Sequence, residues 1–460
     1  MKRRDFLKTL GVGTAAVSVP SMLLRAQQPP ATQELANPHA TIPFESDEID
    51  AKLSKPVTAI VIGAGSRGTT YSRYASSYPG SFNIVGVSDI NEFRKKRMAD
   101  RFDIPEEHRF GDWSEVFKVP RFADTVIIST PDDLHYKPCM QALEMGYNVL
   151  LEKPIAPSEK ECTDILMQAR KYGGIVAVCH VLRYAPYFIA MRKLIQAGNI
   201  GDVLSVQHLE PIGALHMSHS YVRGNWHNSK MSTPILLAKS CHDLDIVSWI
   251  TGKTYSEVSA FGDLTFFKRE NAPAGSAERC LACAVEKDCY FSAKRLYLER
   301  KRFLYVFDFK TEGADRDAEI INYLNTTNYG RCVFRMDNDQ CDHYVMNAKF
   351  TDGSTLAFSM EGLTSYDGRY TRIMGTKGDI VGDMRTFTHT DFLTGQQYIW
   401  KAEKTDGHGG GDHRLVRDFI KSVATKDESH NSSSIEVSVE SHIAGFKAER
   451  SRLTGTTVKM

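Results

Sequence analysis

Residues 57–68, VTAIVIGAGSRG, leave the chain little freedom. The run 57–62 is short and mostly apolar, as a buried parallel strand is. It breaks into Gly63-x-Gly65-x-x-Gly68, with Ser66 and Arg67 opening a helix that reads on to about 77. Glycine at 63 permits a tight turn, glycine at 65 lets a pyrophosphate approach the backbone, and glycine at 68 lets the helix lie on the strand. The helix start offers unpaired N–H groups and the positive end of its dipole to phosphate. A second strand, 82–88, ends at Asp89, where an acidic residue can hold a ribose 2′-hydroxyl. The competing reading is a glycine-rich turn in a flavodoxin-like domain that binds nothing.

The pattern continues with strands at 124–129 and 147–151 and helices at 91–101, 132–145 and 158–172. This alternation predicts βαβ units and a parallel sheet. Beyond a helix at 184–197 the character changes. Strands of alternating polarity are expected at 203–210, 254–262, 344–350, 354–361, 369–374 and 378–383, followed by a hairpin of 386–392 with 397–402. Helices are expected at 242–251, 412–424 and 437–451. The fold expected is α/β: a dinucleotide-binding domain over 55–178, then an α/β domain over 179–460 with a large, open, mostly antiparallel sheet. The stretch 268–300 fits no strand pattern and reads as a Cys-rich insert.

With 460 residues, 42% hydrophobic and 25% charged, the chain can bury two cores. A formal net charge of +1 gives no electrostatic reason to expect nucleic acid or an anionic membrane as partner. Residues 1–30 look like a signal peptide: Arg3-Arg4-Asp5-Phe6-Leu7-Lys8, then an apolar run from Leu10 to Leu24 too short for a stable membrane anchor. The twin arginines point to the twin-arginine export route and a periplasmic location. A basic amphipathic helix is the alternative. Residues 31–54 read as a linker. That route carries folded proteins, so a nucleotide would be loaded before export.

Ser129-Thr130-Pro131-Asp132-Asp133-Leu134-His135 follows one parallel strand, and Glu152-Lys153-Pro154 ends the next. Ligands of open α/β sheets lie at such carboxyl ends. An ammonium beside an oxidised nicotinamide would have its pKa depressed by like charge and could serve as acid or base.

GAGSRG at 63–68, Asp89, STPDDLH at 129–135, GYNVLLEKP at 146–154 and CHDLDIVSWITG at 241–252, in that order, resemble the glucose–fructose oxidoreductase / inositol dehydrogenase (Gfo/Idh/MocA) family. Gly409-Gly410-Gly411-Asp412 is similar to a late motif of that family. The resemblance implies an NAD(P)-dependent oxidoreductase whose carbohydrate or polyol substrate sits between the large sheet and the nicotinamide. It implies catalytic Lys153 and His242, with cofactor contacts from Gly63, Gly65, Ser66, Arg67, Gly68, Asp89, Thr130, Pro131, Asp132, His135, Glu152, Lys153 and His180. It places Arg183, Tyr184, Lys239 and His242 at the substrate, with Arg223, Trp226 and His227 as further pocket residues. Dehydrogenase members carry Asp four residues before the histidine; here that position is Ala238. An NAD-dependent glycosidase or lyase using transient oxidation, and a non-catalytic sugar-binding protein, are the alternatives. Asp89 favours NAD over NADP, and Arg94 and Lys95 nearby soften that preference. The exposed face of the sheet is the expected surface for a homo-oligomer.

Cys280, Cys283 and Cys289 form C-x2-C-x5-C. The spacing admits a zinc site completed by a fourth ligand, an iron–sulfur cluster, a disulfide in an oxidising compartment, or free thiols.

Overall fold

The computed structural model describes residues 32–34, 50–310, 315–401 and 408–460. The twin-arginine segment 1–30 and most of the 31–54 stretch lie outside the described residues.

Strand β1 (Thr32–Glu34) belongs to the second sheet. The first sheet holds β2 (Val57–Ile62), β3 (Phe82–Ser88), β4 (Arg109–Phe110), β5 (Thr125–Ile128), β6 (Asn148–Leu151) and β7 (Val176–Val178), all parallel, in the order β4-β3-β2-β5-β6-β7. Its central strands are buried on both faces, which explains their unbroken apolar runs. Helices α1 (Ser66–Ser77), α2 (Glu92–Phe102), α3 (Tyr136–Glu144) and α4 (Glu159–Tyr172) cover it. Asn91 caps α2 by accepting from the N–H groups of Phe93 and Arg94, and Ser158 caps α4 through Glu161 N–H. The strand order reverses between β2 and β5. Their carboxyl ends therefore open the crevice where ligands of such sheets bind.

The second sheet has ten strands, in the order β1-β15-β14-β13-β12-β8-β11-β10-β9-β16. Its members are β8 (Val203–Pro211), β9 (Tyr255–Asp263), β10 (His343–Phe350), β11 (Thr355–Glu361), β12 (Tyr370–Gly375), β13 (Gly378–Gly382), β14 (Thr386–Asp391), β15 (Gln397–Lys401) and β16 (Val458–Lys459). The β8–β11 and β1–β15 pairs are parallel, and the other pairs are antiparallel. Residues of α5 (Pro186–Gln196) and α6 (Cys241–Thr251) share one core with the inward side chains of β8–β13, while every second residue of β10 faces out. The expected hairpin forms, with Gly395 at φ +66° and Asp391 accepting from Thr394 N–H.

Several features differ from the sequence reading, which held no strand at β4, β7 or β16. Strand β1 lies in the stretch read as linker and pairs with β15. The excursion between β9 and β10 runs over 264–342, contains α7 (Asp315–Thr326), and has its own core of Ala293, Leu296, Tyr297, Phe307, Ile320 and Leu324.

The last helices tie the two sheets together. Leu415, Val416, Phe419 and Ile420 of α8 (Gly411–Thr425) pack with Tyr71 and Tyr74 of α1. Helix α9 (Ile435–Thr454) puts Ile435 and Val439 into the first domain's core and Ala444 and Ala448 into the second's. At the seam His442 Nε2 accepts from Ile155 N–H at 3.1 Å and Nδ1 donates to Ser438 O at 3.0 Å. An N–H can only donate and a carbonyl can only accept, so this ring is neutral. His180 lies 5.3 Å from His442 and 5.9 Å from His242, ring centre to ring centre.

Burial keeps His180 and His242 well below the ordinary histidine pKa and holds His219 and His442 at about 3. Each takes a proton on unfolding. The unfolded chain therefore binds more protons between about pH 6.5 and the native values, and stability falls as pH drops through that window. Each such histidine costs about 1.4 kcal/mol per pH unit. Urea midpoints measured from pH 7 down to pH 5 should fall steeply; a flat profile would contradict neutral burial.

Candidate functional site

The glycine turn separates what the protein needs from what a ligand needs. A Cβ on Gly63 would stand 2.6 Å from Ser129 O, and its φ is +92°. One on Gly68 would stand 2.1 Å from Gly63 O. One on Gly65 would meet nothing nearer than Arg94 Nη1 at 3.7 Å, an ordinary contact. Packing thus demands the first and third glycines, and the second leaves a cradle that a side chain would fill. Gly65 also begins α1 with no side-chain cap, as suits a phosphate-facing helix start. Asp89 closes the turn: Oδ2 accepts from Ala64 N–H at 2.7 Å and Oδ1 from Asn91 N–H at 2.8 Å. These residues fit a dinucleotide.

The loop after β5 braces the site. Asp132 is buried and accepts from Trp226 Nε1 and Thr233 Oγ1, each at 3.1 Å. Burial raises its carboxyl, against the pull of His135 and Lys153. His135 places its ring nitrogens 2.7 Å from Pro154 O and 3.0 Å from Thr130 O, so the β5 and β6 loops are bound to one another. Thr130 Oγ1 donates to Leu134 O, and Pro131 precedes the short turn Asp132–Leu134.

Glu152, at the end of β6, is 5% exposed. It accepts from Arg67 Nε at 2.7 Å, Tyr71 Oη at 2.5 Å and Lys153 N–H at 2.7 Å. Burial pushes its carboxyl up, but Arg67, Lys153 and Tyr71 outweigh that and hold it below the ordinary value. Arg67 also reaches Asp412 at the start of α8, at 2.7 Å. Ser66 stands beside it at the first position of α1.

Lys153 Nζ donates to Ala238 O at 2.8 Å and lies 5.9 Å over the Trp226 ring. Four residues past Ala238, His242 lies in the first turn of α6. Its Nδ1 has no hydrogen-bond partner among the described residues. Burial and then the Lys153 charge keep it neutral. His408 lies 6.2 Å from His242 and donates from Nδ1 to Asp412 at 3.2 Å.

Behind these groups stands a network that the sequence reading missed. Glu210, at the end of β8, accepts from Ser240 Oγ at 2.6 Å and Arg369 Nη2 at 2.9 Å, with Lys239 Nζ at 3.5 Å. Burial, then the Asp243 charge, pushes Glu210 up to about 7. Asp243 accepts from Arg369 at 2.7 Å and contacts His208 Nε2 at 2.9 Å. Strand parity held the signal for Glu210: it falls on the buried side of β8.

Several expected residues are committed elsewhere. Arg183, 4% exposed, forks onto Asp245 at 2.7 and 2.6 Å, so its charge is spent inside the core. Tyr184 Oη is 2.9 Å from Ser433 Oγ in the nucleotide-domain core. His180 is sealed at the domain seam with no hydrogen-bond partner among the described residues. Arg223 donates to Arg331 O, Phe291 O and Cys280 Sγ and lines the excursion's interior. His227 Nδ1 lies 2.7 Å from Gly224 O. Cys280, Cys283 and Cys289 join Cys332 and Arg223 around a small cavity, all four as free thiols. Among the described residues no group of three or more His, Cys, Asp or Glu side chains is placed to hold a metal ion. The zinc and iron–sulfur expectations are not supported by this arrangement, and the disulfide is not formed.

Known proteins can now be set beside this geometry. Residues 57–180 match the profile of an oxidoreductase family, NAD-binding Rossmann fold, and residues 192–441 match that family's C-terminal alpha/beta domain. YteT of Bacillus subtilis (strain 168), a candidate oxidoreductase, is 26% identical over 74% of this chain and 82% of its own length. The inositol 2-dehydrogenase/D-chiro-inositol 3-dehydrogenase of Lactiplantibacillus plantarum is 22% identical over 44% of this chain, which spans 54% of that enzyme. The 2,7-anhydro-N-acetylneuraminate hydratase of Mediterraneibacter gnavus is 28% identical over 45% of this chain and 53% of its own length. The crystal structure of an inositol dehydrogenase homolog complexed with NAD+ from Azotobacter vinelandii shares the fold, with a TM-score of 0.66 at 13% identity, over 90% of this chain and all of that one. The chain belongs to the Gfo/Idh/MocA oxidoreductase family.

Proposed function

We propose that the protein is an NAD-dependent oxidoreductase acting at a C–OH carbon of a sugar, sugar derivative or polyol. The observation that carries this is Lys153, at the end of β6, reaching Ala238 O and holding the buried His242 of α6 neutral, while the adjacent Glu152 is tied to Arg67 of the helix after the glycine turn. Gly65 and the start of α1 would hold the pyrophosphate, and Asp89 a ribose. The bound nicotinamide supplies the hydride acceptor. His242, kept neutral by burial and by Lys153, takes the hydroxyl proton, and the Lys153 ammonium favours the oxyanion that forms. Lys239, anchored by Glu210, orients the substrate's other oxygens.

A redox-neutral lyase or glycosidase cycle is the second reading. Ala238 gives His242 no carboxylate four residues before it, and relatives of this chain include a named hydratase. Two further proposals accompany these. The protein leaves the cytoplasm by the twin-arginine route, on the Arg3-Arg4 segment. It also forms a homo-oligomer through the open sheet face, where Phe261, Val345, Ser359, Leu209 and Tyr370 lie in register across five strands, three of them exposed apolar side chains.

Turnover of candidate sugars, polyols and glycosides should fall about 10²-fold or more in Lys153→Ala and in His242→Gln, with NADH affinity in His242→Gln within about threefold of wild type. Variants that keep most of the wild-type rate would refute these roles. Stoichiometric NADH release supports the dehydrogenase, and product release without it supports the redox-neutral cycle. Phe261→Glu with Val345→Glu should yield a monomer by light scattering, and a wild type that is already monomeric would remove that proposal. Cell fractionation that leaves both wild type and Arg3→Lys/Arg4→Lys in the cytoplasm would remove export.

A further inference from the structure

The 264–342 excursion reaches across to the start of α2, just after Asp89. Asp308 accepts from Arg94 Nε through both carboxylate oxygens, at 3.0 and 2.9 Å, and from Asn91 Nδ2 at 3.2 Å. Its backbone is pinned: its N–H donates to Tyr323 Oη at 2.9 Å, and that hydroxyl donates to its carbonyl at 3.1 Å. The Tyr323 ring stacks on Phe307, whose side chain is part of the excursion's core. Asp308 is therefore presented rigidly to Arg94.

Arg94 is the cation best placed to meet a 2′-phosphate. It sits in the first turn of α2, just past Asp89, with Nη1 the nearest atom to the open side of Gly65. The neighbouring Lys95 is held by Glu92 at 2.6 Å. Both cations that were expected to soften the preference for NAD already have carboxylate partners. Around this end of the turn Asp89, Glu92 and Asp308 stand against Arg94 and Lys95, three carboxylates to two cations. A 2′-phosphate would add further negative charge where both cations already have carboxylate partners.

We infer that Asp308 is a cofactor-specificity residue: by holding Arg94 in an ion pair it denies NADP its phosphate partner, so the excursion selects NAD together with Asp89. This rests on the dinucleotide reading above.

The test is calorimetric titration of the full chain with NADH and NADPH, using wild type, Asp308→Asn, Arg94→Ala and the double variant. Asp308→Asn should tighten NADPH about tenfold and leave NADH within about threefold. The gain should vanish in the double variant, and Arg94→Ala alone, which leaves Asp308 a bare carboxylate, should not tighten NADPH. An unmoved NADPH affinity in a folded Asp308→Asn protein, or a gain that survives in the double variant, overturns the inference. So does a gain of NADPH affinity in Arg94→Ala, which decides alone if Asp308→Asn unfolds. A wild type that binds neither nucleotide overturns the dinucleotide reading itself, a different result from binding without discrimination.

Discussion

A buried carboxylate at the end of a parallel strand sets the geometry on which the site depends. Glu152 gives up water and must be repaid by partners, because an unpaired buried charge costs several kcal/mol. Its partners come from three places: Arg67 and Tyr71 on the helix after the glycine turn, the backbone of Lys153, and through Arg67 the Asp412 side chain that opens α8. One ion cluster thus fixes the helix after the glycine turn, the end of β6 and the start of α8 relative to one another. The Lys153 side chain leaves this anchored point and ends on Ala238 O, next to the start of α6. Loosening Glu152 would therefore loosen the relation between the glycine turn and the Lys153 and His242 side chains.

The electrostatics behind the site follow from burial. His180, His242 and His442 form a dry row at the seam, and each is kept neutral. A neutral imidazole can accept a proton, and a charged one cannot. Lys153 reinforces that state in His242 by like-charge repulsion. Further back, Arg369 pairs with Asp243 and shares Glu210 with Lys239.

The first sheet was legible because its signals are local. Period, glycine spacing and the acidic residue after β3 all lie within one βαβ unit, and the strands at 57–62 and 82–88 form over the expected residues. The second sheet was legible by alternation, since one face is covered and the other open. Side-chain roles were less so. Arg183 and Tyr184 sit where a motif-based reading puts pocket residues, yet Asp245 and Ser433 take them into the core. Glu210 was missed because a charged residue ending a strand looks solvated until Arg369, 159 residues on, covers it. Asp308 was missed for the same reason: its partner lies 214 residues away, and no local pattern encodes that pairing.

The central claim is that a nicotinamide dinucleotide lies on the glycine cradle with its ring at Lys153 and His242. A crystal structure of the protein soaked with NAD+ tests this most directly. The account predicts pyrophosphate over Gly65, ribose hydroxyls on Asp89, and the nicotinamide ring facing the Lys153 ammonium and the His242 ring. A nucleotide bound elsewhere, or one whose ring turns away from both side chains, would contradict it.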